Sequence, residues 1–256
     1  MKGEGMVAKI RVMLIVTMLL LISHSGMAQQ GSTESDKKAL DILKKMSDTI
    51  TQAKTVSFET RSMIPVKGPG DIWVDLHGAS RVVMGGKDKL FVETRGDFSH
   101  YDLYVNGKTI TAYAPEKNVY AVKEGPGTID AMIENTYKNK ERTFPFADIL
   151  VSDPYAVLTK DVKKAVFVGY SDIDGIRTEH LAFVCEGVEW QIWIGAEDHL
   201  PRLINATFAG TDMEPSQIVK ISAWKIDGEV DAGSFDFKNT TGAVQVEFKK
   251  PQEVLS

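Results

Sequence analysis

The chain has 256 residues, 43% of them hydrophobic, and its formal net charge is −5. That length suits one large all-β domain and does not require two. An acidic surface with no basic patch argues against nucleic acid and anionic membrane surfaces as partners, and Cys185, the only cysteine, leaves no intramolecular disulfide to form.

Lys2, Lys9 and Arg11 precede an apolar run from Val12 to Ile22, followed by Ser23-His24-Ser25-Gly26-Met27-Ala28. A basic start, a short apolar stretch and small residues before a cut after Ala28 predict a cleavable secretory signal peptide over residues 1–28. A membrane span needs about 20 apolar residues, roughly twice this run. Loss of Lys2, Glu4, Lys9 and Arg11 with the signal takes the formal charge from −5 to −7. No cysteine stands at the end of the apolar run, which argues against a lipid anchor. The expectation is a periplasmic domain over 29–256 with no stable span after signal removal, monomeric by default.

Between Asp36 and Ala53, Ala39, Leu40, Ile42, Leu43, Met46 and Ile50 recur at three-to-four-residue spacing. This predicts an amphipathic helix capped by Ser35 or Asp36. Strands follow in quick succession: Thr55–Ile64, Asp71–His77, Ser80–Met84, Lys89–Arg95, His100–Val105, Thr109–Ala114 and Asn118–Val122. Taking Asn106-Gly107 as a two-residue turn pairs Leu103 with Ile110, Tyr101 with Ala112 and His100 with Tyr113. The next turn, Pro115 to Asn118, sets Ala112 against Ala121 and Tyr113 against Tyr120.

From Gly125 to Asp161 the pattern changes. Thr128–Lys138 reads as a helix, Phe144–Val151 as a second short helix entered through Pro145, and Pro154–Leu158 as a further turn. A long non-β insertion of this kind is either a lid or a packed connector. Strands resume at Lys163–Ser171, and Asp172 to Gly175 forms a turn. The stretch Ile176–Ile204 then gives the sharpest pattern in the chain. With Glu186-Gly187 as its loop, Cys185 faces Val188, Phe183 faces Trp190 and Leu181 faces Ile192. One face is almost wholly apolar, and the other carries His180, Ala182, Val184, Glu189, Gln191 and Trp193. A one-residue slip would mix the two, so the register is well specified. Arg202–Phe208, Gln217–Ile226 and Val244–Phe248 complete the strands. The fold class is mainly β with helices (α+β), built on an antiparallel sheet with one dry face.

Catalytic and metal-binding patterns are missing. His77, His100, His180 and His199 are scattered without metal-ligand spacing, and Asp172, Asp174 and Gly175 are too few for a calcium loop. No nucleophile elbow or phosphate loop occurs. Cys185 sits on the apolar face beside Phe183 and Trp190, where a buried small hydrophobe is the simpler reading. The expectation is no enzyme, no cofactor and no metal.

Tyr104-Val-Asn-Gly-Lys-Thr-Ile-Thr-Ala-Tyr-Ala-Pro115, Tyr120-Ala121, His180-Leu-Ala-Phe183, Glu189-Trp-Gln-Ile-Trp-Ile194 and Leu200-Pro-Arg202 carry a resemblance. The chain resembles a bacterial family of uncharacterised predicted periplasmic proteins, grouped with the lipoprotein carriers LolA and LolB. The likeness extends to the first helix and to Phe235-Asp-Phe237. It implies a strongly curved, half-open antiparallel barrel whose concave face is covered by the N-terminal helix and a helical insertion, a LolA-like fold. In the carriers the space beneath holds the acyl chains of a lipoprotein. A hydrophobic small molecule, lipid or acylated protein is therefore the implied ligand, although fold alone does not deliver function. Candidate lining residues are Phe91, Tyr101, Leu103, Phe183, Trp190 and Ile192 from strands, with Met132, Ile133 and Phe146 from the lid. The alternative is an envelope interaction or sensing module on the same scaffold. Its working surface would be the mixed face: His100, Tyr113, Tyr120, His180, Gln191 and Trp193.

Overall fold

Alternation along the strands sets the architecture. In the computed structural model, which describes residues 33–97, 100–138, 146–208 and 216–248, the first strand buries Val56, Phe58 and Thr60 and leaves Glu59 and Arg61 in water. Its neighbours follow the same period of two. The first six strands form a meander: β1 (Thr55–Lys67), β2 (Trp73–Gly85), β3 (Lys89–Gly96), β4 (Tyr101–Asn106), β5 (Thr109–Ala114) and β6 (Val119–Glu124). A second meander holds β7 (Lys164–Ile173), β8 (Ile176–Cys185), β9 (Val188–Gly195), β10 (Pro201–Phe208) and β11 (Ser216–Ile226). Pairing of β1 with β11 fuses the two into one curved, unclosed antiparallel sheet. The short β12 (Val244–Gln245) adds a parallel pair beside β6, so β12 and β7 are the free edges of a 12-stranded order.

One face of the sheet is dry. Val82, Met84, Leu90, Val92, Val105, Ile110, Leu181, Ile192, Ile194, Val219 and Ile221 are buried there in one continuous core. Helix α1 (residues 33–52) lays Ala39, Ile42, Leu43, Met46 and Ile50 on that face. The segment between β6 and β7 adds α2 (Ile129–Lys138), a short 3-10 turn at Ala147–Ile149 and α3 (Pro154–Thr159). The result is a curved sheet with helices over its inner face.

Several sequence expectations need correction. The expected strands Asp71–His77 and Ser80–Met84 are one continuous β2, because Gly78 and Ala79 pair with β1 and β3 without a break. Leu103 faces Ala112 and Val105 faces Ile110, a two-residue slip from the expected register. The Asn106 side chain causes it: its Oδ1 accepts from the backbone N of Lys108 (3.1 Å) and Thr109 (2.9 Å), so Gly107-Lys108 becomes the loop. A slip of two keeps every side chain on its face, and only the partners change. Ser35 and Asp36 lie inside a helix already formed at residue 33, so neither is its cap. Ser35 Oγ instead accepts from the backbone N of Phe167 (3.0 Å) on the β7 edge. The expected helix over 144–151 is only the 3-10 turn; Phe144 and Pro145 lie outside the described residues, as does the signal segment. The last strand keeps two residues.

Candidate functional site

The β8–β9 hairpin supplies one wing of the inner face. Leu181 pairs with Ile192, Phe183 with Trp190 and Cys185 with Val188, the expected register. Phe183 and Trp190 stack at 4.1 Å between ring centroids. Across the sheet, Phe58 meets Phe146 edge-on at 5.6 Å and Trp224 at 4.4 Å. Trp224 reaches this face through a bulge: Ser57 faces Lys225 while Glu59 faces Ser222, and Ala223 takes a φ of +54° to absorb the extra residue. Its indole N–H donates to the Pro201 carbonyl at 2.8 Å.

The helical cover meets the sheet through Ile129, Met132, Ile133, Phe146, Ile149, Leu150 and Val151, all buried. Polar ties hold it to itself, to α1 and, at the root of α2, to the β2–β3 turn. The Asp130 carboxylate accepts from the backbone N of Ser152 (2.7 Å) and from its hydroxyl, and the backbone N of Tyr155 donates to Ser47 Oγ (3.1 Å). The backbone N of Ile129 donates to the Lys87 carbonyl (2.9 Å) at the root of α2.

Of the expected lining residues, Met132, Ile133, Phe146, Phe183, Trp190 and Ile192 are buried in this core, and Leu103 packs against it. Tyr101 shares their side of β4. Burial raises its phenol pKa above the ordinary value, against the pull of a hydrogen bond with Thr94. Phe91 is the exception. It alternates with buried Leu90 and Val92, so it lies on the outer face, 5.0 Å from the ring of Tyr104. The inner-face residues that sequence reasoning missed are Phe58 and Trp224, together with the Asp130–Ser152 tie. The alternation of β1 could have revealed Phe58.

The proposed partner residues do not form one patch. Tyr113 and Tyr120 lie on β5 and β6, and Phe237 from the C-terminal segment sits over them at 5.2 and 4.9 Å. His180, Gln191 and Trp193 lie on β8 and β9, with His180 stacked on Trp193 at 4.1 Å and its Nε2 bonded to Gln191 at 2.9 Å. The strands β4, β3, β2, β1, β11 and β10 separate the two groups. His100 pairs with Glu116 at the sheet rim. A hollow of about 460 Å³ also lies on the outer face, among Ser57, Glu59, Arg81, Lys225, Glu229 and Asp231. Its charged walls suit no hydrophobic ligand. Among the described residues, no group of three metal-binding side chains occurs, and no helix is long and apolar enough to cross a membrane.

A family model described as "Predicted periplasmic protein (DUF2092)" matches residues 39–249. No curated protein matches the chain in sequence. Among solved structures, the chain is similar to an uncharacterised conserved protein from Thermus thermophilus, at 10% identity and a TM-score of 0.47, covering 83% of this chain and 98% of that one. It is similar to the lipoprotein LppX of Mycobacterium tuberculosis at 15% identity and a TM-score of 0.44, covering 77% and 99%. A LolA-superfamily protein from Nitrosomonas europaea matches at 12% identity and a TM-score of 0.37, covering 78% and 97%.

Proposed function

The chain belongs to the DUF2092 family of predicted periplasmic proteins, and from that premise we propose that it is a periplasmic binding or carrier protein for an acyl chain or similar hydrophobic ligand. Export is by the cleavable signal over residues 1–28, and residues 29–256 act as one domain. The ligand lies between the inner face of the sheet and the cover formed by α2, the 3-10 turn and α3. Tyr101, Leu103, Phe183, Trp190 and Ile192 form the floor, with Met132, Ile133 and Phe146 opposite. The role is binding, without catalysis.

The observation that carries this reading is the division of labour in the cover. The side chains that touch the sheet are apolar. Of the named hydrogen bonds only the Ile129 backbone N reaches the sheet, at the Lys87 carbonyl in the β2–β3 turn, while the others hold the cover to itself and to α1. Helices of 10 and 6 residues are marginal alone and depend on that apolar contact. Among the described residues the inner face packs directly on the cover, so a ligand has to exchange with it. Burying Ile129, Met132, Ile133, Phe146, Ile149 and Leu150 contributes roughly 9–18 kcal/mol at about 1.5–3 kcal/mol each. An acyl chain of about 12–16 carbons, at about 0.8 kcal/mol per CH₂, offers roughly 10–13 kcal/mol. The two are comparable, which gives a reversible exchange rather than a permanent plug.

The test is titration in solution with a long-chain fatty acid carrying a quencher. Saturable, one-to-one quenching that is reduced in Trp190→Phe, with Trp224 on the same face carrying the remainder, supports the reading. Absence of uptake by the folded protein would refute it.

A further inference from the structure

Among the described residues, the hairpin of β1 and β2 extends past its neighbours in the sheet. Strand β11 pairs with β1 only as far as Met63, opposite Ile218, and β3 pairs with β2 only as far as Gly78, opposite Gly96. Beyond those points, among the described residues, the two strands pair with each other: Ile64 with Leu76, Val66 with Val74 and Lys67 with Trp73. The Gly68 backbone N extends the ladder to the Ile72 carbonyl at 2.8 Å. At about 3.3 Å per residue this free part is roughly 13 Å long, excluding its turn.

The side chains of this arm are sorted by side. Ile64, Val66, Val74 and Leu76 continue the alternation of Phe58 and Thr60, so they extend the inner face outward. Ile72, on extended backbone at the turn, has the same parity and is 60% exposed. Phe208, on β10, is an apolar residue on the same side at the same level. Asn205 lies across from Ile218 and Ile218 across from Met63, so Phe208 stands level with Val66 and shares its side. It is 46% exposed. The other side of the arm carries Trp73, with the Lys67 ammonium 4.7 Å from its ring.

The geometry points to this arm as a lipid-contacting element, whose apolar strip from Ile72 to Ile64 enters the apolar part of a membrane surface. This rests on the carrier reading and supplies its missing step, contact with the bilayer beside the covered face; Ser62, Gly78, Thr60 and Ser80 lie between the apolar strip and the buried Phe58 and Val82. A lipid layer fits better than a protein partner. One narrow hairpin tip cannot supply the roughly 800 Å² per partner that a stable protein interface buries. A tryptophan beside a lysine suits the boundary between acyl chains and headgroups. The tip residues Lys67, Asp71 and Asp75 give no basic cluster, so the fit is to apolar insertion rather than to anionic headgroups.

The test is flotation of the intact exported protein with vesicles of phosphatidylcholine and phosphatidylethanolamine, with and without phosphatidylglycerol. Wild type is expected to float with neutral vesicles, and Ile72→Asp to partition about ten-fold more weakly. Ile176→Asp makes the same change at an exposed apolar residue on the opposite rim, where β8 begins, and is expected to float like wild type. Three results would overturn the inference: no flotation of wild type, equal flotation of Ile72→Asp, or binding only to anionic vesicles that salt abolishes. Fatty-acid uptake without vesicles separates the two proposals. Uptake without flotation sinks the arm alone, and flotation without uptake sinks the carrier reading alone.

Discussion

Asp130→Ala should open the cover without unfolding the sheet. Asp130 stands in the first turn of α2 and accepts from both the backbone N and the hydroxyl of Ser152, 22 residues away, closing the covering segment on itself. A hydrogen bond to a charged group contributes about 1.5–3 kcal/mol, and negative charge at a helix start about 0.3–1 kcal/mol. Both are weakened here by partial exposure, so a net loss of about 2 kcal/mol is the working figure. That raises the open population of the cover roughly thirty-fold. Hydrogen exchange read by mass spectrometry is the assay. Amides in 129–138 and 146–159 should exchange about thirty times faster, while those of β8, β9 and β1 keep wild-type rates. Where opening limits uptake, fatty-acid binding should accelerate by the same factor, and Asp130→Asn should fall between. Unchanged exchange in the cover, or equal acceleration in cover and strands, would refute a separately opening lid.

Three further outcomes follow from local geometry. A Cβ on Gly96 would stand 2.4 Å from the His77 carbonyl oxygen and 2.7 Å from the Gly78 Cα, both backbone atoms. Gly96→Ala should therefore cost about 2–3 kcal/mol in urea unfolding, by prying β3 from β2. Ala223→Gly should raise stability by about 0.5 kcal/mol, since glycine accepts the positive φ of the bulge at lower cost, and the thermal midpoint reads it. Tyr101 holds its proton more tightly folded than unfolded, chiefly through burial. Its contribution is complete below the ordinary phenol value near 10 and is lost as pH rises from there through the raised value. Tyr101→Phe should lose less stability than wild type over that alkaline range in pH-dependent denaturation.

The inner face was legible wherever local pattern decides it. Leu181, Phe183, Trp190 and Ile192 alternate so cleanly that only one register keeps the face dry, and the structure has that register. The amphipathic stripe of α1 was legible for the same reason. Phe91 was misplaced because an aromatic beside Leu90 and Val92 looks like core. Its real neighbour is Tyr104, which contacts Phe237 at 5.6 Å, from a segment far along the chain. The mixed face failed at long range. Nothing local says that β1 pairs with β11, and that pairing sets Tyr113 and Tyr120 apart from His180 and Trp193. The β4–β5 slip turned on the Asn106 side chain, which a two-residue turn rule does not contain.

Native mass spectrometry of the protein purified from the periplasm of an exporting host, followed by lipid extraction, tests the central claim most directly. The account predicts a stoichiometric bound acyl species, or its uptake when lipid is added. A clean ligand-free mass that no added lipid shifts would contradict it.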